Sequence, residues 1–224
     1  MYKTERMDKV FLKYTVTVLI YILSQHTHAS DFGKYLDDLI IKVLNDGRTV
    51  EIIGSYEYED PNGKIWSVPD KYVVNGASIP QFLWSIVGGP YSGRYRNASV
   101  VHDYYCDVKS ETWKDVHRMF YHAMRANNVP PTRAKLMYSA VYRFGPRWNF
   151  EYVPNCEDCL SVPMTVTEYQ SQPNEEDFSD LQKAIENNEN ISLESLESIA
   201  EAQFISEISA KDIGTPNLGL EQNK

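Results

Sequence analysis

Near Asn75 the spacing of apolar residues changes from alternate positions to every third or fourth one. That single switch restricts the chain to a strands-first, helices-second plan. Before it, Thr49–Ile53, Tyr56–Tyr58, Lys64–Val68 and Lys71–Val74 are short runs rich in β-branched and aromatic residues. Glu59-Asp-Pro-Asn-Gly63 carries turn chemistry and Pro69 marks an edge or a break, so a small antiparallel sheet is expected. After the switch, Ser78 can cap a helix with Pro80 in its first turn, Phe82, Leu83, Ile86 and Val87 on its apolar face and Gly88-Gly89-Pro90 as its stop. Tyr95–Asp107 continues with Ala98, Val101, Tyr105 and Val108 on one stripe. Ser110 is placed to cap Glu111–Asn127, whose inner face is Val116, Phe120, Ala123 and Met124. Pro130-Pro131 opens a last helix with Leu136, Met137, Ala140, Val141 and Phe144 inward, stopped at Gly145-Pro146. The pattern predicts an α+β fold in which a small antiparallel sheet precedes about four packed helices.

Upstream, Phe32, Tyr35, Leu36, Leu39, Ile40 and Val43 fall at helical spacing before Asn45-Asp46-Gly47, which predicts an amphipathic lead-in helix within 30–48. At the N-terminus Lys3, Arg6, Lys9 and Lys13 precede the apolar run Thr15–Leu23, and Thr27-His28-Ala29 offers small residues for a cut after Ala29. That is the pattern of an export signal over 1–29, with an apolar run too short for a bilayer core of roughly 30 Å. A periplasmic or secreted protein is expected, not integral to the membrane once the signal is removed.

Charge divides the chain as well. Up to Cys156 there are 16 acidic and 19 basic residues, and from Glu157 onward 15 and 3, within a net charge of −9. No dense basic stripe is present, which argues against a nucleic-acid partner. The domain expected over 49–150 is therefore mildly basic, and 151–224 is expected to be a largely disordered, acidic low-complexity tail with one or two marginal helices. Of the three cysteines, Cys156 and Cys159 form a C-x-x-C pair and Cys106 stands apart. In an oxidising compartment two of the three are expected to pair.

Val74-Asn-Gly-Ala-Ser-Ile-Pro80, Gly93-Arg-Tyr-Arg96 and Val100-Val-His-Asp-Tyr104 form an ordered set with Arg118-Met-Phe-Tyr121 and with Lys135-Leu-Met-Tyr138 through Phe144-Gly145. Over about residues 49–146 this set resembles the domain of unknown function 1353 family of bacterial and phage proteins. The resemblance implies domain limits and no activity. The family usually has Asp where this chain has Asn75, and commonly Asp where it has His117; His102 and Asp103 match the family's His-Asp pair. The resemblance thereby implies a metal-ligand set of Asn75, His102, Asp103 and His117.

Imidazole and carboxylate together suit zinc, iron or manganese, and a bound divalent ion, zinc or manganese first, would make hydroxide available from a coordinated water near neutral pH. Helix geometry limits the set, because adjacent His102 and Asp103 point about 100° apart while Cys106 shares the face of His102. His117 borders an apolar stripe and is expected to face neighbouring elements, whereas His122 is expected at the surface. A different role for His102–Asp103 is a buried hydrogen-bond hub. Ser78 reads as a helix cap rather than a nucleophile, and the many tyrosines and tryptophans as core and rim packing. Two functions follow as expectations. One is a metal-assisted hydrolase of a cell-envelope polymer or peptide, with His102 and Asp103 catalytic; the other is a non-catalytic module that binds an envelope component or protein partner.

Overall fold

The computed structural model describes residues 31–47, 49–75, 93–152, 164–172 and 174–214. The chain divides between Asp31 and Phe32, and the architecture below is that of the second part. It is α+β, as the change of period implies. The export signal, the helix expected after Ser78 and the Cys156/Cys159 pair lie outside the described residues.

The strand half is two small antiparallel sheets rather than one. Strands β1 (Lys34–Tyr35), β4 (Tyr56–Glu59) and β5 (Ile65–Val68) are joined in the order β1-β4-β5, and β2 (Ile41–Val43), β3 (Val50–Ile52) and β6 (Val73–Val74) in the order β2-β3-β6. Alternation does the sorting: Tyr56, Tyr58, Trp66 and Val68 are buried while Glu57, Glu59 and Ser67 between them are half-buried. Trp66 stands directly across from Tyr58 in the β4–β5 register. Their turn is organised by Asp60, whose Oδ1 accepts from the Asn62 and Lys64 amides (2.8 and 3.1 Å) and whose Oδ2 accepts from Trp66 Nε1 (3.0 Å).

The amphipathic lead-in helix expected over 30–48 is not formed; that stretch supplies β1 and β2. Gly33 has φ +80°, and a Cβ there would fall 2.1 Å from the Glu59 carbonyl oxygen, so the chain enters as a strand pressed against β4. Tyr35 then stacks on Tyr56 with ring centroids 5.7 Å apart and donates its hydroxyl to the Ala123 carbonyl at 2.9 Å. Pairing with β4 and β3 outweighs a local helical pattern only three turns long.

Among the described residues the helical half runs from a 3-10 turn, Gly93–Tyr95, through α1 (Arg96–Val108), α2 (Trp113–Ala126) and α3 (Pro131–Phe144). Lys109, left-handed at φ 50°, ends α1. The expected cap at Ser110 is instead Thr112, whose hydroxyl oxygen accepts from the Asp115 amide, so α2 starts two residues later than the spacing suggested. Pro131 and Gly145 bound α3 as expected. The predicted inner faces are buried, except that Val108 at the end of α1 is 40% exposed and Leu136 on α3 is half-buried.

Beyond α3 composition misled. Strands β7 (Pro146–Tyr152) and β8 (Met164–Gln170) form a two-stranded ribbon, and α4 (Glu175–Asn187) and α5 (Leu193–Gly214) follow. The acidic tail expected over 151–224 to be largely disordered with one or two marginal helices does hold two helices, which across residues 174–214 pack on the body as an arm. Phe178, Leu181, Ile185, Leu196 and Ala200 enter the core, and the carboxylates meet the body's cations. Arg143, 1% exposed, binds Asp177 through Nε (3.0 Å) and Glu207 through Nη1 (3.0 Å). Arg118 pairs with Glu194 and Glu197, and Glu201 accepts from Arg147 and from the Tyr142 hydroxyl, both at 3.0 Å. The acidic residues are thus the countercharges of the basic domain. Among the described residues no helix is long and apolar enough to cross a membrane.

Candidate metal centre

His102 lies mid-way along α1, Cys106 one turn after it, and His117 in the second turn of α2. The short connection through Lys109–Thr112 turns the two helices back on each other, and the i, i+4 pair on α1 then meets His117. All three side chains are interior: His102 and His117 are 0% exposed and Cys106 is 5% exposed. Phe120 covers His102 with ring centroids 4.6 Å apart, and Trp113 and Trp148 flank His117 at 5.6 and 6.5 Å. Behind His117 stands Gly145, whose missing side chain leaves room for Nε2; a Cβ there would sit 3.3 Å from that nitrogen and 2.3 Å from the Val141 carbonyl oxygen.

The donor atoms converge. His102 Nε2 is 2.9 Å from His117 Nδ1 and 3.5 Å from Cys106 Sγ, and ligand atoms from all three residues lie within 4.8 Å of one another. Metal–nitrogen bonds of ~2.0 Å and metal–sulfur bonds of ~2.3 Å set at tetrahedral angles give a nitrogen–sulfur edge of ~3.5 Å and a nitrogen–nitrogen edge of ~3.3 Å. The first matches. The second requires the hydrogen-bonded imidazoles to part by roughly 0.4 Å. Buried His102, Cys106 and His117 therefore lie close enough to hold a metal ion.

The four-residue set implied by the family resemblance divides in two. His102 and His117 meet as that set requires, but Asp103 and Asn75 do not join them. Both line an open cleft of ≈ 320 Å³, together with Tyr72, Asp107, Lys109 and Glu168. Asp103 sits one residue past His102 and is turned around α1 toward that cleft, as adjacency on a helix demands. Asn75 is exposed at the end of β6. Cys106, absent from the expected ligands, takes the third place and also borders the cleft. Its signal was in the sequence, as the residue four after His102 on the same face. Cys106 is buried, and the expected pairing of two of the three cysteines involves Cys156 or Cys159, which lie outside the described residues. His122 is half-buried against Phe32 and Tyr121 rather than fully at the surface.

Burial sets the charge state of the pair. Desolvation pushes His102 down to about 3 from its usual 6.5. His117 is also held well below 6.5, first by burial, then by His102 and by the positive charge of Arg147, with the Pro146 backbone opposing weakly. Both rings are neutral at pH 7, which is the form that ligates a metal. The same fact predicts acid sensitivity of the metal-free chain. Unfolded histidines titrate near 6.5 and these two do not, so below that pH the unfolded chain binds more protons and stability is lost. Between pH 7.5 and 5.0 the unfolding free energy is expected to drop by roughly 2 kcal/mol on account of His102, with a further loss in the same direction from His117. Urea titrations of the chain and of a His102→Asn/His117→Asn variant would show this, and equal pH slopes in the two would refute it.

Comparison with known proteins identifies the segment that carries this centre. Residues 50–141 match the family described as "Protein of unknown function (DUF1353)", so the resemblance read from the motifs holds. The chain is similar to two proteins of Sinorhizobium fredii (strain NBRC 101917 / NGR234). It is 54% identical to "Uncharacterized protein y4jT" over 114 residues, covering 50% of this chain and 34% of that one. It is 39% identical to "Uncharacterized protein y4iH" over 111 residues, covering 50% of this chain and 46% of that one. The chain thus spans less than half the length of either relative. No solved structure matches it.

Proposed function

We propose that this DUF1353-containing chain is a metal-binding protein that holds one transition-metal ion through His102, Cys106 and His117. The observation that carries the reading is the convergence of two neutral imidazole nitrogens and one thiol within 4.8 Å, inside a shell that has no carboxylate among the described donors. Nitrogen and sulfur donors suit zinc or a softer ion, and manganese loses its basis once Asp103 and Asn75 stand outside the set. Metal analysis of the full chain tests it. About one equivalent in the parent and none in Cys106→Ser or His117→Ala is expected; no metal in the parent after loading with zinc or copper would leave the three residues as a hydrogen-bonded hub.

Metal-assisted hydrolysis is the second reading, favoured by one observation: Cys106 is shared between the ligand cluster and the cleft that Asp103 lines. Three protein ligands with an open fourth position is the arrangement of catalytic zinc sites. A cell-envelope substrate follows only from the export signal read in 1–29, and recovery of chain beginning at Ser30 from the periplasm would support that setting. Hydrolysis requires a divalent ion and an Asp103→Asn variant slower than the parent on peptide or polysaccharide substrates.

A further inference from the structure

The metal-binding reading leaves the ion's charge open, and the surroundings of the cluster bear on it. We infer that the centre is built for monovalent copper. The inference rests on the metal-binding reading and goes beyond it.

A thiolate and two neutral imidazoles together carry one negative charge. A divalent ion would leave the cluster at +1 and a monovalent ion would leave it at zero. In water the difference is small, but His102 and His117 are 0% exposed and Cys106 is 5% exposed, so a net charge would be held out of solvent. Among the described residues no carboxylate oxygen joins the three donors within 4.8 Å, so no carboxylate is a ligand to the ion. Asp103 faces the cleft instead, alongside Asn75. A cation lies close by: Arg147, 6% exposed, packs over Trp113 at 4.5 Å, with Trp113 in turn against His117 at 5.6 Å. Glu201 pairs with that guanidinium at 3.0 Å, so the positive charge is balanced from the α5 side and not from the side of the histidines.

Donor number and softness agree with charge. Zinc in a closed site takes four protein ligands, and the fourth place here would have to be filled by water. A thiolate suits monovalent copper as well as zinc, and two histidines with one cysteine make a trigonal set that copper occupies. Phe120, Trp113 and Trp148 around the donors form the apolar shell that keeps such a site dry.

Anaerobic titration of the full chain tests this, with bicinchoninate as competitor for Cu(I) and a chromophoric chelator as competitor for Zn(II). One equivalent of Cu(I) is expected, bound on the order of a thousandfold more tightly than Zn(II), the ratio that corresponds to the several kcal/mol a buried uncompensated charge costs. Cys106→Ser should abolish Cu(I) binding, and Lys183→Ala, at an exposed site on α4, should leave it unchanged. The affinity ratio is read on the unaltered chain, so it stands whether or not the Cys106 variant folds. Zn(II) binding as tightly as Cu(I), or more so, would overturn the copper assignment while the metal site survives. Binding of neither ion would overturn the site itself.

Discussion

Alanine in place of Arg143 is expected to lower the unfolding free energy by about 3–5 kcal/mol. The side chain is 1% exposed, and it holds Asp177, Glu207 and the Ser171 hydroxyl while its guanidinium lies 4.9 Å from the Phe144 ring. Truncation would leave two carboxylates facing a cavity at the base of the arm, and the cost of stranding them exceeds the cost of the lost contacts. The contrast is the exposed Lys183–Asp180 pair at 3.4 Å, whose removal should change stability by under about 0.5 kcal/mol. Guanidinium titration of both variants decides the point. Equal, small losses would mean that the arm is not anchored through Arg143.

Phe120→Ala should cost a similar amount, about 3–5 kcal/mol, for a different reason. Phe120 is 0% exposed, and its ring covers His102 from the same helix that bears His117. Its removal opens a void beside the imidazole pair, so the histidine ring resonances should broaden or shift in addition to the loss of stability. A loss of under about 1 kcal/mol would show that the neighbouring side chains close the gap, and that Phe120 does not hold His102 in place.

Much of this was legible from residue order. Alternation exposed the strands because each sheet buries one face, as Tyr56, Tyr58, Trp66 and Val68 show. Proline and glycine bounded α3 because their backbone chemistry is local and needs no partner. Gly33 was harder to read: its close approach to Glu59 is a tertiary contact, and nothing near it in sequence announces a strand. The arm was hidden by its composition. Acidic, polar sequence ordinarily remains solvated, and only the opposing Arg118, Arg143 and Arg147 turn its charge into attraction. A weaker signal was present, since Phe178, Leu181 and Ile185 recur at helical spacing and all three are buried. At the centre, His102 was found because it matches the family's His-Asp pair, and His117 because it stands where the family commonly has Asp. Cys106 carried only the face it shares with His102, and Asp103 lines the cleft beside the cluster because neighbours in sequence diverge on a helix.

Gly145 gives the family boundary a practical meaning. The matched segment ends at residue 141, yet the surface against which His117 rests is made at Gly145 and the strand that follows it. A fragment cut to the match would retain every donor atom and lose the wall behind one of them, together with Trp148. The stretch that the family model covers and the stretch needed to assemble its interior are different lengths of chain.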